Sequence, residues 1–447
     1  MSSKRNRQLG ARKQTQAGSA CAPLIRDEAL ACAHDKRALL PPFSEFYLPD
    51  ACMPVKDGCV VGVCVCLDRS YPLVSCARGI LRAQFSAALI STDRSATVCV
   101  GDYLVLRFVD ADISCIIESI IPRLSEIKRY QGRNYRLPQV LAANVDIVAI
   151  VVPLSKQGVS IEKVARALCL CATASCEPFL IFTKADRITP ERLVKECMRA
   201  QLLFGSKLKI FALSLFSHGR CASEEEYLQA AGQIGVSWGL EALASALSAR
   251  VVDGGNDAAG AADVEADHDD AIADADDSDS SDAASDAALH VHASELSSLS
   301  LRSRSDASRH VSCMLLGESG VGKSSLINAL CDSAMLEVGA TRMRDDKGRH
   351  TTTQRLMLRA APQVFLIDCP GIRSFSLVGQ EAGLYSLFPE FKAALGSCAF
   401  SNCTHIHEKG CALEALSRES AALHERYLLF ASLLQALHHE HALSQSQ

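Results

Sequence analysis

Aromatic residues are scarce, at 5% of 447 residues with a single tryptophan, so any core must be built from aliphatic side chains and cysteine. Long apolar runs are missing too. The longest, VLAANVDIVAIVVPL (140–154), is interrupted by Asn144 and Asp146 and is too short and polar to span a bilayer. The opening MSSKRNRQLGARKQTQ has no apolar stretch behind its basic residues, so no secretory signal is expected. These absences point to a cytoplasmic protein with no membrane role, in which 20 cysteines are reduced thiols rather than a disulfide framework. Lysine and arginine are absent from 251–290, which holds thirteen acids, twelve Asp and Glu265. Of 51 acids, 38 therefore lie elsewhere, against 46 bases. The net charge of -5 conceals a basic remainder suited to a polyanionic partner.

What is present falls into four parts. Residues 1–50, basic at the start and with Pro41 and Pro42 near the end, read as a flexible arm. Residues 51–125 carry five short β-rich runs with polar turns: 58–66, 71–76, 79–85, 100–109 and 113–121. That spacing suits a small closed barrel. A basic run follows, Arg123, Lys128, Arg129, Arg133 and Arg136, either a solvated connector or a strip that contacts a nucleic-acid backbone.

Residues 126–395 read as one domain, within which 144–247 alternate strand and helix, as a parallel α/β sheet requires. Strands are expected at 144–152, 177–186 (running into a loop), 208–214, 310–316 and 363–368, with helices at 160–174, 190–204 and 237–250 and after the glycine loop. The Asp/Ala/Ser segment 251–308 interrupts them and is too polar and one-signed to form a core. Residues 396–447 hold a Cys/His cluster, then an Ala/Leu-rich helix over 412–437.

GESGVGKSS (317–325) matches the phosphate-binding pattern between a strand and a helix. Gly317, Glu318, Ser319, Gly320, Val321 and Gly322 would turn their N–H groups toward phosphate oxygens, with Ser325 completing the contact. Lys323 supplies charge to the β- and γ-phosphates, and the Ser324 hydroxyl ligates Mg²⁺. DCPG (368–371) ends an apolar run. There Asp368 would hold Mg²⁺ and the Gly371 N–H would sense the γ-phosphate. Between them, GRHTTT (348–353) offers a threonine to the Mg²⁺ shell, Thr352 being the preferred one.

A base reader is also present, but in an unusual place. TKAD (183–186) ends a strand, and Asp186 is suited to accept from guanine N1–H and its amino group, donors that adenine does not present there. Thr183 and Lys184 flank the base, and Ser214 follows the next strand. These parts precede the phosphate loop by more than a hundred residues, the reverse of an ordinary G-domain. A domain whose original ends are joined and whose new ends lie elsewhere explains the order, with the acidic insert at the join. In the tail, Cys398, Cys403, His405 and Cys411 supply three thiolates and an imidazole, a closed tetrahedral structural zinc site, with His407 a competing ligand.

The permuted motif order, the preceding barrel, GRHTTT, DCPGIRSF and the terminal cysteine cluster resemble the ribosome small subunit-dependent GTPase A family over roughly residues 52–440. The resemblance implies a multidomain chain. Its parts would be an N-terminal OB-fold β-barrel, an α/β circularly permuted P-loop GTPase domain and a small C-terminal zinc-binding helical domain. It also implies action in late maturation of the small ribosomal subunit, with contacts to its rRNA and with GTP hydrolysis to GDP stimulated by the particle. After DCPG stands Ile372, which cannot orient water as the glutamine of Ras-like enzymes does. The resemblance assigns that work to His350, beside Lys323 and Thr352 as catalytic groups. The expected cofactors are one structural Zn²⁺ and Mg²⁺ with GTP, in a monomer. Two other readings stand beside it: an RNA-binding assembly scaffold with little turnover, and an ATP-dependent enzyme in which TKAD is fortuitous.

Overall fold

The computed structural model describes residues 39–48, 58–68, 71–92, 97–109, 115–131, 134–215, 222–252, 310–332, 355–369, 376–406 and 408–445. The acidic insert, GRHTTT, Gly371 and His407 lie outside them.

The five expected strands form as β1 (Cys59–Asp68), β2 (Tyr71–Cys76), β3 (Gly79–Phe85), β4 (Tyr103–Phe108) and β5 (Cys115–Ile120). They pair β1–β2–β3–β5–β4, and β4 returns to β1, which closes the barrel. Small and branched side chains fill it: Cys64, Val74, Ala83, Leu104, Leu106 and Ile117. At Gly62 a Cβ would stand 2.5 Å from Leu106 and 2.6 Å from Val74, so only glycine fits between these residues.

The basic run after the barrel is not a loose connector. Its chain folds into a two-stranded ribbon, β6 (Glu126–Gln131) with β7 (Asn134–Ala143). Only Ile127 and the run Leu141–Ala143 are buried among the described side chains of the ribbon, too few to set up the alternation that marks a strand. Arg123 points inward: its guanidinium donates to both oxygens of the fully buried Asp102, at 2.7 and 2.9 Å. It pins the barrel to the ribbon and is not part of an exposed strip.

The remaining sheet holds β8 (Ile147–Pro153), β9 (Glu177–Thr183), β10 (Lys209–Ala212), β11 (Ser237–Trp238), β12 (Val311–Leu316), β13 (Arg355–Ala361) and β14 (Val364–Asp368). Its order is β11-β10-β9-β8-β12-β14-β13, parallel except for β13. Near-continuous Val, Ile, Leu and Phe in β8, β9, β12 and β14 reflects burial on both faces. β12 pairs with β8, yet it is synthesised after β9, β10 and β11, which lie on the far side of β8, so the sheet itself carries the permuted order. β13 was missed in the sequence, where RLMLRAA reads as readily helical. It also pairs with β1 (Cys66↔Leu356, Leu67↔Arg355), which joins barrel and sheet into one hydrogen-bonded surface.

Residues 39–48, expected to belong to the flexible arm, pack as a strap over this junction. Leu40 and Phe46 are buried, Phe46 against Phe365 at 4.6 Å between ring centroids. Ser75 of the barrel donates to the Pro41 carbonyl at 2.9 Å, while Arg359 of β13 donates to Glu45 at 2.7 Å.

Beyond the sheet, helices Glu381–Leu387 and Pro389–Ala394 share one apolar cluster with the terminal helix Ala421–Gln445. Leu384, Phe388, Phe391, Tyr427, Phe430 and Leu434 pack there with Cys169 of helix Ile161–Thr173. The expected single helix over 412–437 is broken. A short helix Ala412–Ser417 stops at Arg418, and Ser420 accepts from the Leu423 N–H at 3.1 Å to start the next. Four polar residues, 417–420, interrupt the apolar spacing at the break, and Ser420 caps the helix that follows.

Candidate nucleotide site and cysteine cluster

Parallel strands β8, β9, β12 and β14 deliver their carboxyl ends to one edge of the sheet, the edge at which open α/β sheets bind ligands. The loop after β12 needs its glycines. Gly320 and Gly322 have φ of +81° and +109°, and a Cβ on Gly317 would lie 2.6 Å from the Val151 carbonyl oxygen. Helix Lys323–Leu330 starts directly at Gly322 with no side-chain cap, which leaves its first N–H groups for an anion. Lys323 is buried, and its ammonium donates to the Gly317 and Glu318 carbonyls, both at 2.7 Å. Burial pushes its pKa below the ordinary lysine value, offset in part by nearby Asp368. An ammonium stripped of water and held by two carbonyls is a strong partner for a phosphate oxygen. Asp368 itself ends β14 opposite Leu315 of β12.

The TKAD loop reaches the same place from the other side. Lys184 adopts left-handed geometry, φ +58° and ψ +35°, and turns the chain into the short helical turn Ala185–Arg187. Asp186 is buried there and accepts from Ser214 at 2.7 Å, so the loops after β9 and β10 meet at one carboxylate. Two bonds then tie this loop to the phosphate loop. The Thr183 hydroxyl donates to the Val321 carbonyl at 2.7 Å, and the Lys184 ammonium donates to the Gly320 carbonyl at 2.7 Å. Segments 136 to 138 residues apart thereby form one surface. The Thr183–Val321 clamp was not legible as such in the sequence, since a threonine at a strand end is commonplace. Nor was Lys163, which pairs with Glu318 at 2.7 Å from helix Ile161–Thr173. Ser324 sits in the first turn of its helix. His350, Thr352 and Gly371 lie outside the described residues.

The second cluster assembles as the spacing suggested. Ligand atoms of Cys398, Cys403, His405 and Cys411 all lie within 4.8 Å of one another. His405 turns Nδ1 toward the thiols, 3.4 Å from Cys398 Sγ and 3.8 Å from Cys411 Sγ. Its carbonyl accepts from the Tyr427 hydroxyl at 3.2 Å, which fixes the loop to the terminal helix. Glu408 accepts from the Thr404 and Ile406 N–H groups at 2.9 and 2.8 Å and holds the turn between Cys403 and Cys411. By contrast, the pairs Cys64/Cys66 and Cys169/Cys171 are buried in β1 and in helix Ile161–Thr173. Burial pushes the thiols of Cys64, Cys169 and Cys171 upward, so these are core residues.

A phosphate loop at the switch point of a parallel sheet, with a K-x-D loop bonded to it, defines a P-loop nucleotide-binding domain whose chain order is permuted. The RsgA GTPase family model matches residues 120–233 and 279–378. By its similarity to that family the chain is a GTPase. It is 28% identical over 376 residues to the small ribosomal subunit biogenesis GTPase RsgA of Streptomyces avermitilis, which covers 83% of this chain and 78% of that protein. The protein of the same description from Porphyromonas gingivalis is 47% identical over 129 residues, 27% of this chain and 40% of its own. Among solved structures, YjeQ from Thermotoga maritima aligns with 85% of this chain and 98% of its own, at a TM-score of 0.48 and 17% identity.

Proposed function

We propose that this GTPase binds the small ribosomal subunit and acts as a late maturation switch, with hydrolysis stimulated by the particle. The printed descriptions of its relatives support the subunit as partner. The observation that carries the guanine reading is the pair of bonds from Thr183 and Lys184 to the phosphate loop. With Lys323 on the phosphates, Asp186 is then positioned for the base, and a Ser214 hydroxyl bonded to it limits its rotation. Mg²⁺, which neutralises the β- and γ-phosphate oxygens, would be held by Ser324 and Asp368, with Thr352 joining them. Ser324 opens the helix after the phosphate loop and Asp368 ends the strand beside it, so the donor set fits. His350 is assigned the water-positioning role that Ile372 cannot fill.

The C-terminal cluster is assigned one structural Zn²⁺. Zn–S bonds near 2.3 Å place the thiolates of a tetrahedral site about 3.8 Å apart, in keeping with four ligand atoms gathered within 4.8 Å. The barrel, residues 51–125, is assigned to the OB-fold class on its β1–β2–β3–β5–β4 closure and is the surface proposed for rRNA. Residues 126–395, with their insert, form the proposed GTPase domain and 396–447 the zinc-binding one. No helix among the described residues is long and apolar enough to cross a membrane; we assign the protein to the cytoplasm as a monomer.

Phosphate release over many turnovers, with small subunits, large subunits and free RNA added in turn, tests the function. Stimulation by small subunits, lost in Lys323→Ala, is expected. Equal rates with all three would remove the small-subunit switch and leave a binding scaffold.

A further inference from the structure

The phosphate loop carries an acid of its own. Glu318 is its second residue, and a carboxylate so close to a bound triphosphate would oppose it. The ammonium expected to meet the phosphates is bonded to this same residue, for Lys323 donates to the Glu318 carbonyl and to that of Gly317, both at 2.7 Å. An ammonium has three N–H groups. Among the described residues two of them are engaged in this way, which leaves one for a phosphate oxygen or for a carboxylate. The Glu318 carboxylate lies two methylenes beyond its own Cα, so by side-chain rotation it can approach the ammonium held at its own carbonyl. Burial pushes the Lys323 pKa down, and the nearby Asp368 and Glu318 carboxylates act against that. The loop therefore contains a competitor for its own lysine.

In the structure that carboxylate is occupied elsewhere. Glu318 Oε1 lies 2.7 Å from the ammonium of Lys163, 155 residues earlier in helix Ile161–Thr173, and this is its one ion pair among the described residues. The helix gains nothing from that cation. Lys163 stands in its first turn, where the helix dipole disfavours positive charge. The acid beside it, Glu162, is taken by Arg166 at 3.1 Å. What brings Lys163 to the loop is the sheet: β8, which leads toward this helix, pairs with β12, which leads into the loop. Both side chains keep substantial exposure, 56% for Lys163 and 41% for Glu318, so the pair adds little to stability. Its effect is on where the carboxylate points.

We propose that Lys163 is a positioning residue for phosphate binding: it holds the Glu318 carboxylate off the Lys323 ammonium and keeps the remaining N–H open to the nucleotide. This rests on the nucleotide site proposed above, with Lys323 on the β- and γ-phosphates. Without Lys163, acid and nucleotide compete for one donor, and affinity falls through Glu318 rather than through any contact that Lys163 makes with the nucleotide.

The test is a double-mutant cycle on the full chain, read as dissociation constants for a non-hydrolysable GTP analogue with Mg²⁺, with thermal melting as a check on folding. Lys163→Met keeps the apolar stem and removes the charge. At about 0.1 M salt it should weaken the analogue by about 3- to 5-fold, the upper range for an exposed ion pair. In the Glu318→Gln background no carboxylate is left to restrain, and the same substitution should change affinity by less than about twofold. Lys163→Arg restores a cation and should stay within about twofold of the parent. Raising salt to about 1 M, where the Debye length falls to about 3 Å, should shrink the Lys163→Met effect, which a packing role would leave in place. An equal loss from Lys163→Met in both backgrounds overturns the proposal, as does a loss under about twofold in the parent. A loss that ignores salt, or Lys163→Arg as weak as Lys163→Met, overturns it too. Should Lys163→Met not fold, Lys163→Gln decides by the same comparison. A parent chain that binds no guanine nucleotide defeats the underlying site instead, and this inference with it.

Discussion

A single hydroxyl carries much of the convergence on which the guanine site depends. Thr183→Val keeps the side-chain shape but removes the donor to the Val321 carbonyl, leaving a buried acceptor unpaired. Such a loss costs about 1–3 kcal/mol. Affinities for GTP and GDP should therefore both fall by about 5- to 100-fold, read by titration calorimetry, with little change in their ratio. Asp186 should behave differently, because the role proposed for it is to select the base rather than to clamp the loop. In Asp186→Asn an amide replaces one carboxylate oxygen, and an N–H then faces the guanine amino group. Guanine binding should drop by about 100-fold or more. Xanthine, with a carbonyl at that position, should be bound better by the variant than by the parent, and unchanged selectivity would remove Asp186 from the base site.

At the scale of elements, the cysteine loop and the helices around it separate. Phe388, Phe391 and Phe430 give the terminal helix an aromatic core shared with helix Ile161–Thr173, so the loop 398–411 need not carry its folding alone. Removing the metal with a chelator should therefore unfold that loop and lower the melting temperature while guanine binding persists. Global loss of helical signal on chelation would show that the metal holds the whole segment. Glu440 of the terminal helix adds a pH dependence. Burial pushes its carboxyl up, but bonds from Arg166, Ser376 and Leu377 outweigh that and hold its pKa below the ordinary value. A folded-state pKa below the unfolded one stabilises above the ordinary carboxylate range and is lost as pH falls through the folded value. Acid melting below about pH 4 should thus be less steep in Glu440→Gln. The same elements show what the sequence could and could not disclose. The barrel strands, β8, β9, β12 and the phosphate loop are written in local patterns, because each buries a regular face or needs glycine at positive φ. The β6–β7 ribbon, β13 and the serine break at 420 are specified by neighbours remote in the chain, or by one cap. In the cysteine cluster all four residues that gather were legible, because a metal site demands both the residue types and their closeness. Contacts such as Lys163–Glu318 and Glu440–Ser376 join surfaces that only the fold brings together.

On the scale of the whole molecule, the strap 39–48 and the β1–β13 pairing make barrel and sheet a single body, Leu39–Gln447. Phe46→Ala, which empties a site against Phe365 and His310, should cost about 3–5 kcal/mol. Denaturant unfolding should show that loss in one cooperative transition covering both parts. Two separate transitions, only one of them shifted, would show that the strap serves the barrel or the sheet alone. The permuted order of the sheet has a consequence for biosynthesis. A ribosome making this chain releases the base-reading loop first, when nothing yet exists to hold a triphosphate. Until β12 and its glycine turn emerge and add to the edge of β8, with β14 still to follow, the nascent polypeptide is blind to guanine nucleotides. Competence to bind them is acquired late and all at once, so the switch cannot be thrown by an unfinished copy of itself.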